Sequence, residues 1–202
     1  MNCNTYVTIA GESSAKVVIK KSTFLSFAYP VATVDEAEAL LKDFKKKYYD
    51  ARHVCFAYVL EADGSIMRAY DNGEPSGTAG RPIQGVIRAA GLTHVMVMVV
   101  RYFGGIKLGT QGLIAAYKEA AELALAKAEK VTHTVEHTLR LLFDYSQMNA
   151  VMQCLKRQEV KILSHQVDTH CTMELKVPQA QWEMVKGYLQ KIPTLKFESE
   201  ES

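Results

Sequence analysis

Residues 95–100 are apolar without interruption, as are residues 54–60. Both alternating sets of side chains are then apolar, which marks strands buried on two faces, inside a sheet rather than at its edge. The strand over 52–60 is followed by the turn signal Ala62, Asp63, Gly64 and a returning strand, so 52–70 predicts a hairpin. Upstream, 16–31 is rich in β-branched and aromatic residues and closes at Pro30, which reads as two short strands around 20–22. Between these strands the period changes. Ala37, Leu40, Leu41, Phe44 and Tyr48 make one stripe of a helix that Thr33 or Asp35 can cap. A second helix opens near Arg81 and Pro82 and stops at Gly91. A third, Ala-rich helix carries Leu113, Tyr117, Ala120 and Ala124 on one face, small enough to pack closely on a sheet.

Near Val131 the texture shifts. HTVEHTLRLLFDY reads as one strand with Val135, Leu139, Leu141 and Phe143 on a single face. A helix bearing Met148, Val151, Met152 and Leu155 follows, then strands over 159–167 and 169–177. A helix with Trp182, Val185 and Leu189 and a short strand, LKFES, end the chain, with residues from Glu198 to Ser202 expected to fray. The order is βαββαβ, a ferredoxin-like split unit with helices on one sheet face and the other open. The expected fold class is α+β in two domains, 1–131 and 132–202.

Composition narrows the classes. No apolar run approaches the roughly eighteen residues of a membrane span, and the N-terminus lacks a basic start leading into an apolar stretch, so a cytoplasmic protein without membrane contact is expected. Cys3, Cys55, Cys154 and Cys171 are scattered with no CxxC spacing; Cys55, in an apolar strand, reads as a small buried hydrophobe. A net charge of +2 does not by itself imply a nucleic-acid partner. The run Lys45, Lys46, Lys47 sits where cations suit a helix C-terminus, and that reading is preferred to an RNA patch.

The candidate chemistry lies in two glycine-rich loops, DNGEPSGTAG and RYFGGIKLGTQG, each running into a helix start. Helix starts present unpaired N–H groups and partial positive charge, and glycines let a phosphate approach them. On this reading Thr78, Gly80 and Arg81 of the first loop, with Gly104, Gly105, Lys107, Gly109, Thr110 and Gly112 of the second, surround an anion, and Arg101 is its bidentate partner. Tyr102 and Phe103 can stack on a base. The plainer reading is two tight connections; neither GxxxxGK[ST] nor GxGxxG occurs. His53, Asp71 and Glu74 can hold a divalent metal or move protons. Equally, Asp71 can satisfy loop N–H groups, Glu74 can pair with Arg101 or Arg81, and His53 can be a core histidine. No nucleophile–base pair is legible, so no catalytic residue, metal or cofactor is assigned, and the reading leans away from an enzyme.

The motif D-x-G-E-P-x-G-T-A-G-x-P followed by R-Y-F-G-G-x-x-L-G-x-x-G-L closely resembles the YigZ/IMPACT family, a likeness covering about residues 16–127. The resemblance implies a first domain with the fold of domain IV of elongation factor G, an α/β sandwich, and a second similar to its domain V. It implies a functional surface at Asp71, Gly73, Glu74, Pro75, Gly77, Thr78, Gly80, Arg101, Tyr102, Gly104, Gly105, Leu108 and Gly112, and a role near translation. Eukaryotic members regulate the stress-response kinase that acts on initiation factor two, and carry an additional N-terminal domain. The expected function is a non-enzymatic regulator binding RNA or the ribosome, with a protein of the translation machinery as a further partner. Two alternatives stand beside it: an enzyme on a phosphorylated or metal-bound small molecule using Asp71, Glu74 and His53, and a protein-interaction module.

Overall fold

The apolar run at 95–100 lies at the middle of a sheet, and every one of its side chains is buried. A computed structural model describes residues 4–158 and 160–201, the last three of these by backbone alone. Two compact units emerge, Tyr6–His133 and Thr134–Ser202, with Asn4 and Thr5 joining the second. Within the second unit, the Asn4 carbonyl accepts from Val135 N at 2.9 Å.

In the first unit, β2 (Ser13–Ile19), β3 (Ser22–Pro30), β4 (His53–Leu60), β5 (Ile66–Tyr70) and β6 (Val95–Tyr102) form an antiparallel sheet in the order β2-β3-β6-β4-β5. Helices α2 (Gly80–Ala89) and α3 (Gly109–Lys127) cover one face, burying Phe24, Cys55, Val97, Val99 and Tyr117. Helix α1 (Val34–Lys47) covers the other, over Val54, Phe56, Met96, Met98 and Val100. Burial from both sides is why β4 is apolar from Val54 to Leu60 and β6 from Val95 to Val100, whereas the edge strand β5 is largely exposed. Helix α1 begins with a reciprocal cap: Thr33 Oγ1 accepts from Glu36 N (3.2 Å) while Glu36 Oε2 accepts from Ala32 N (2.7 Å).

Register gathers the functional candidates at one end of this sheet. Ile19 pairs with Ser22, Thr23 with Tyr102, His53 with Arg101, and Phe56 with Tyr70. The β2–β3 turn, the C-terminus of α1 and the starts of α2 and α3 therefore share that loop end. One expectation fails here. HTVEHTLRLLFDY is not one strand: β7 (Lys130–Thr134) pairs with β1 (Thr5–Ile9) in a two-stranded ribbon, and the chain breaks at Val135 before β8 (Glu136–Phe143). The ribbon partner lies over a hundred residues away, so local alternation carries no trace of the break.

In the second unit, β8, α4 (Met148–Arg157), β9 (Lys161–Val167), β10 (Cys171–Pro178), α5 (Trp182–Leu189) and β11 (Lys196–Glu201) follow in βαββαβ order. The sheet is antiparallel in the order β11-β8-β10-β9. Leu139, Leu141, Phe143, Met173, Leu175 and Val177 meet Val151, Leu155, Val185 and Leu189 in its core. Met152, expected in that stripe, is 41% exposed. Strand β11 runs through Glu201, where fraying was expected; Ser202 and Cys3 lie outside the described residues.

Candidate functional site

The first loop, residues 71–79, closes on its own carboxylate. Asp71 accepts from three backbone N–H groups: Gly77 at 2.7 Å, Gly80 at 2.8 Å and Ala79 at 2.9 Å. Burial pushes its carboxyl up, but these three donors outweigh burial and hold it below the ordinary value. The start of α2 thus already holds an anion, and it belongs to the chain. Thr78 is buried and its hydroxyl donates to Pro75 O at 2.7 Å, so Thr78 and Gly80, expected around a ligand, face into their own loop. Gly80 is required sterically, because a Cβ there would run into the backbone of Tyr70. Arg81 is exposed.

Glu74 ties the two loops together. Its side chain is only 4% exposed, and its Oε1 accepts from Arg101 at 2.7 Å and from the Tyr117 hydroxyl at 2.9 Å. Of the two pairings open to Glu74 in the sequence, Arg101 is the one formed. Arg101, expected to grip a phosphate, is instead 6% exposed, with its guanidinium 5.6 Å from the Phe24 ring and 5.5 Å from that of Phe103. Its Nε is buried and has no hydrogen-bond partner among the described residues.

His53 and Cys55 complete the buried cluster. His53 Nδ1 lies 2.9 Å from the Asn72 carbonyl, which can only accept, so the proton sits on Nδ1. Its Nε2 stands 4.0 Å from Glu74 Oε1, beyond a direct hydrogen bond. The Cys55 thiol donates to Asp71 O at 2.9 Å, and burial pushes it up to about 12 despite the lowering effect of the Tyr117 hydroxyl. A thiol so protonated is no nucleophile near neutrality. Burial, with Cys55 and Glu74 beside it, likewise pushes the Tyr117 phenol far up. Among the described residues no three His, Cys, Asp or Glu side chains gather as metal ligands. The cluster locks the loops to each other through buried hydrogen bonds. A cavity of about 800 Å³ lies elsewhere, between α2 and α3 against Gly85, Ala89 and Leu125, and its Lys118 and Glu122 pair with each other at 3.8 Å.

The second loop, residues 103–108, is built the other way. Gly104 N donates to Ser22 Oγ at 3.2 Å, and a Cβ on Gly104 would strike the backbone of Lys21, so only glycine lets the loop lie against the β2–β3 turn. Past that anchor the loop faces solvent: Phe103 is 53% exposed, and Gly105, Ile106, Lys107, Gly109 and Thr110 are exposed. Leu108, at the N-cap of α3, offers no side-chain cap, among the described residues no side chain is seen accepting from its first N–H groups, and its first turn holds no acid. Gly112, half-buried, sits in that same turn. Tyr102, expected as a stacking face, turns into the α1 side of the core and its hydroxyl donates to Asp50 at 3.0 Å. Nothing in the sequence singles out Tyr117, Cys55 or Ser22 as part of this site; a tyrosine in a helix stripe and a cysteine in an apolar strand read as ordinary core.

Comparison with known proteins covers this region. Residues 20–125 match the Impact N-terminal domain family. Over 166 residues the chain is 32% identical to the IMPACT family member YigZ of Escherichia coli, spanning 80% of each chain. It is 34% identical over 156 residues to the IMPACT family member YvyE of Bacillus subtilis, spanning 77% of this chain and 72% of that one. A crystal structure of a hypothetical protein superposes with a TM-score of 0.73 at 28% identity, covering 96% of both chains.

Proposed function

The chain belongs to the IMPACT family, and on that premise we propose that it is a non-enzymatic, RNA- or ribosome-binding protein acting in translation regulation. The second loop and the start of α3 are the phosphate-facing surface. The observation that carries this reading is the difference between two helix starts at one end of a sheet: α2 is filled by Asp71, while α3 is uncapped, free of acids and flanked by exposed Lys107. An uncapped helix start beside a lysine favours an anion through both dipole and charge. The buried Glu74–Arg101–Tyr117 cluster supports a structural rather than catalytic role for the carboxylate between the loops.

The family likeness further suggests the fold of elongation factor G domain IV for the first unit. The βαββαβ order of the second supports a ferredoxin-like reading. Both assignments fit a protein that works beside RNA. Co-sedimentation with ribosomes across a salt series tests the function. Lys107→Ala with Lys20→Ala and Lys21→Ala should weaken binding and flatten its salt dependence, by about 0.7 in slope for each single-strand phosphate no longer neutralised. Binding that is absent in the parent protein, or unchanged in the variant at every salt concentration, would contradict it.

A further inference from the structure

Cations gather at the loop end of the first unit's sheet. The other end is mixed, with Asp35 and Glu36 at the start of α1 and Glu61 and Asp63 between β4 and β5, beside Arg88 and Lys127 in the last turns of α2 and α3. The loop end carries exposed Lys20 and Lys21 in the β2–β3 turn, and Lys107 in the second loop. Helix α1 delivers Lys45, Lys46 and Lys47 to the same end, and Arg52 follows just before β4. The acids there are largely engaged: Asp43 pairs with Lys46 at 3.2 Å, Asp50 accepts from Tyr102, and Asp71 and Glu74 are held within the first loop. In the sequence the lysine run is explained by the helix dipole alone; in the fold it shares the sheet end with Lys107.

This surface also carries aromatic faces. Tyr49 is 85% exposed, more than any other large apolar side chain described, and it sits between Lys47 and Arg52. Its segment is tied beside the second loop by the Tyr102–Asp50 hydrogen bond. Phe103 is 53% exposed and backed by the Arg101 guanidinium. Exposed aromatic rings among cations are the means by which proteins hold unpaired bases, whose faces are open; in an A-form duplex those faces are stacked away and side chains meet phosphate and ribose instead.

We propose that this surface takes single-stranded RNA, with Tyr49 and Phe103 as stacking platforms and Lys45, Lys46, Lys47 and Arg52 as phosphate partners that continue the track from Lys107. The inference rests on the RNA-binding reading and narrows it: the ligand is a single strand, and the C-terminal end of α1 is half of the site.

The test is fluorescence anisotropy of the full chain with labelled oligoadenylate of about twelve nucleotides, within the span such platforms cover. A duplex RNA of equal length and ribosome co-sedimentation run in parallel. Tyr49→Ala and Phe103→Ala should each weaken oligoadenylate binding at least about fivefold, while Tyr49→Phe and Phe103→Tyr retain it. Replacing Lys45, Lys46 and Lys47 by Ala should lower the salt slope by about 2. Tyr49 contacts solvent over most of its surface, so its loss leaves the fold intact, as a thermal melt will show. If the chain binds ribosomes or RNA yet Tyr49→Ala and Phe103→Ala bind oligoadenylate as the parent does, or the duplex is preferred, the single-strand inference is overturned and the broader function stands. If the parent chain binds neither ribosomes nor RNA, both are overturned.

Discussion

Two glycine-rich loops leave the same end of one sheet and enter two helices, yet they are physically opposite. The loop before α2 points a carboxylate inward onto three N–H groups and buries its threonine and glutamate. The loop before α3 leaves its helix start uncapped and its Phe103, Ile106 and Lys107 in solvent. The first is a brace and the second a surface. Glycine content alone does not distinguish them, because glycine serves two different close approaches: Gly80 against Tyr70, and Gly104 against Lys21. What separates them is the placement of one acid, Asp71, six to nine residues ahead of the donors it serves.

The largest effects should come from breaking the brace. Glu74→Ala leaves Arg101 buried without its partner and should cost about 3–5 kcal/mol, read by urea denaturation. A loss below about 1 kcal/mol would mean that the loops are not locked through this pair. Asp71→Ala removes three charge-assisted hydrogen bonds and should cost about 3 kcal/mol.

The same carboxylate sets an acid limb. Its folded value lies below the ordinary 3.8, so its contribution is complete above that value and disappears as pH falls through the folded one. Asp71→Asn should flatten the fall in stability below about pH 4, with the parent and variant melts converging as acid is added. The alkaline side has the opposite sign. The Cys55 thiol is raised from 9.0 to about 12, so between those values the unfolded chain loses a proton that the folded chain keeps, and stability should fall as pH rises. Native Cys55 should resist alkylation near pH 8 and react only on unfolding, as peptide mass mapping would reveal. The smallest stability change belongs to the surface. Lys107→Ala should alter stability by no more than about 0.5 kcal/mol while weakening RNA binding, which separates a ligand-facing residue from a brace.

Much of this architecture is legible in the residues, for physical reasons. Strands β4 and β6 announce themselves because burial on two faces demands apolar side chains on both, over 54–60 and 95–100. The α3 stripe of Leu113, Tyr117, Ala120 and Ala124 is buried as its spacing predicts. Local pattern fails where the partner is distant: β1 and β7 are strands of five residues each whose pairing joins the two ends of the first unit. The site is legible by position and less so by role. The loops stand out in the sequence, but whether Arg101 faces a ligand or Glu74 depends on register between β6 and β4 and on Tyr117 arriving from α3. Tyr102 and Tyr49 differ in the same way. Both lie among charged residues, but only the fold turns one inward to Asp50 and leaves the other in solvent.

The contrast between a filled and an open helix start can be tested by filling the second. Gln111 is exposed in the first turn of α3, and Gln111→Glu places there the negative charge that Asp71 supplies to α2. Ribosome and RNA affinity should drop severalfold, while thermal stability stays level or rises by about 0.3–1 kcal/mol from the favourable dipole interaction. Undiminished binding in a folded Gln111→Glu protein would contradict the assignment of this helix start as the phosphate-facing surface.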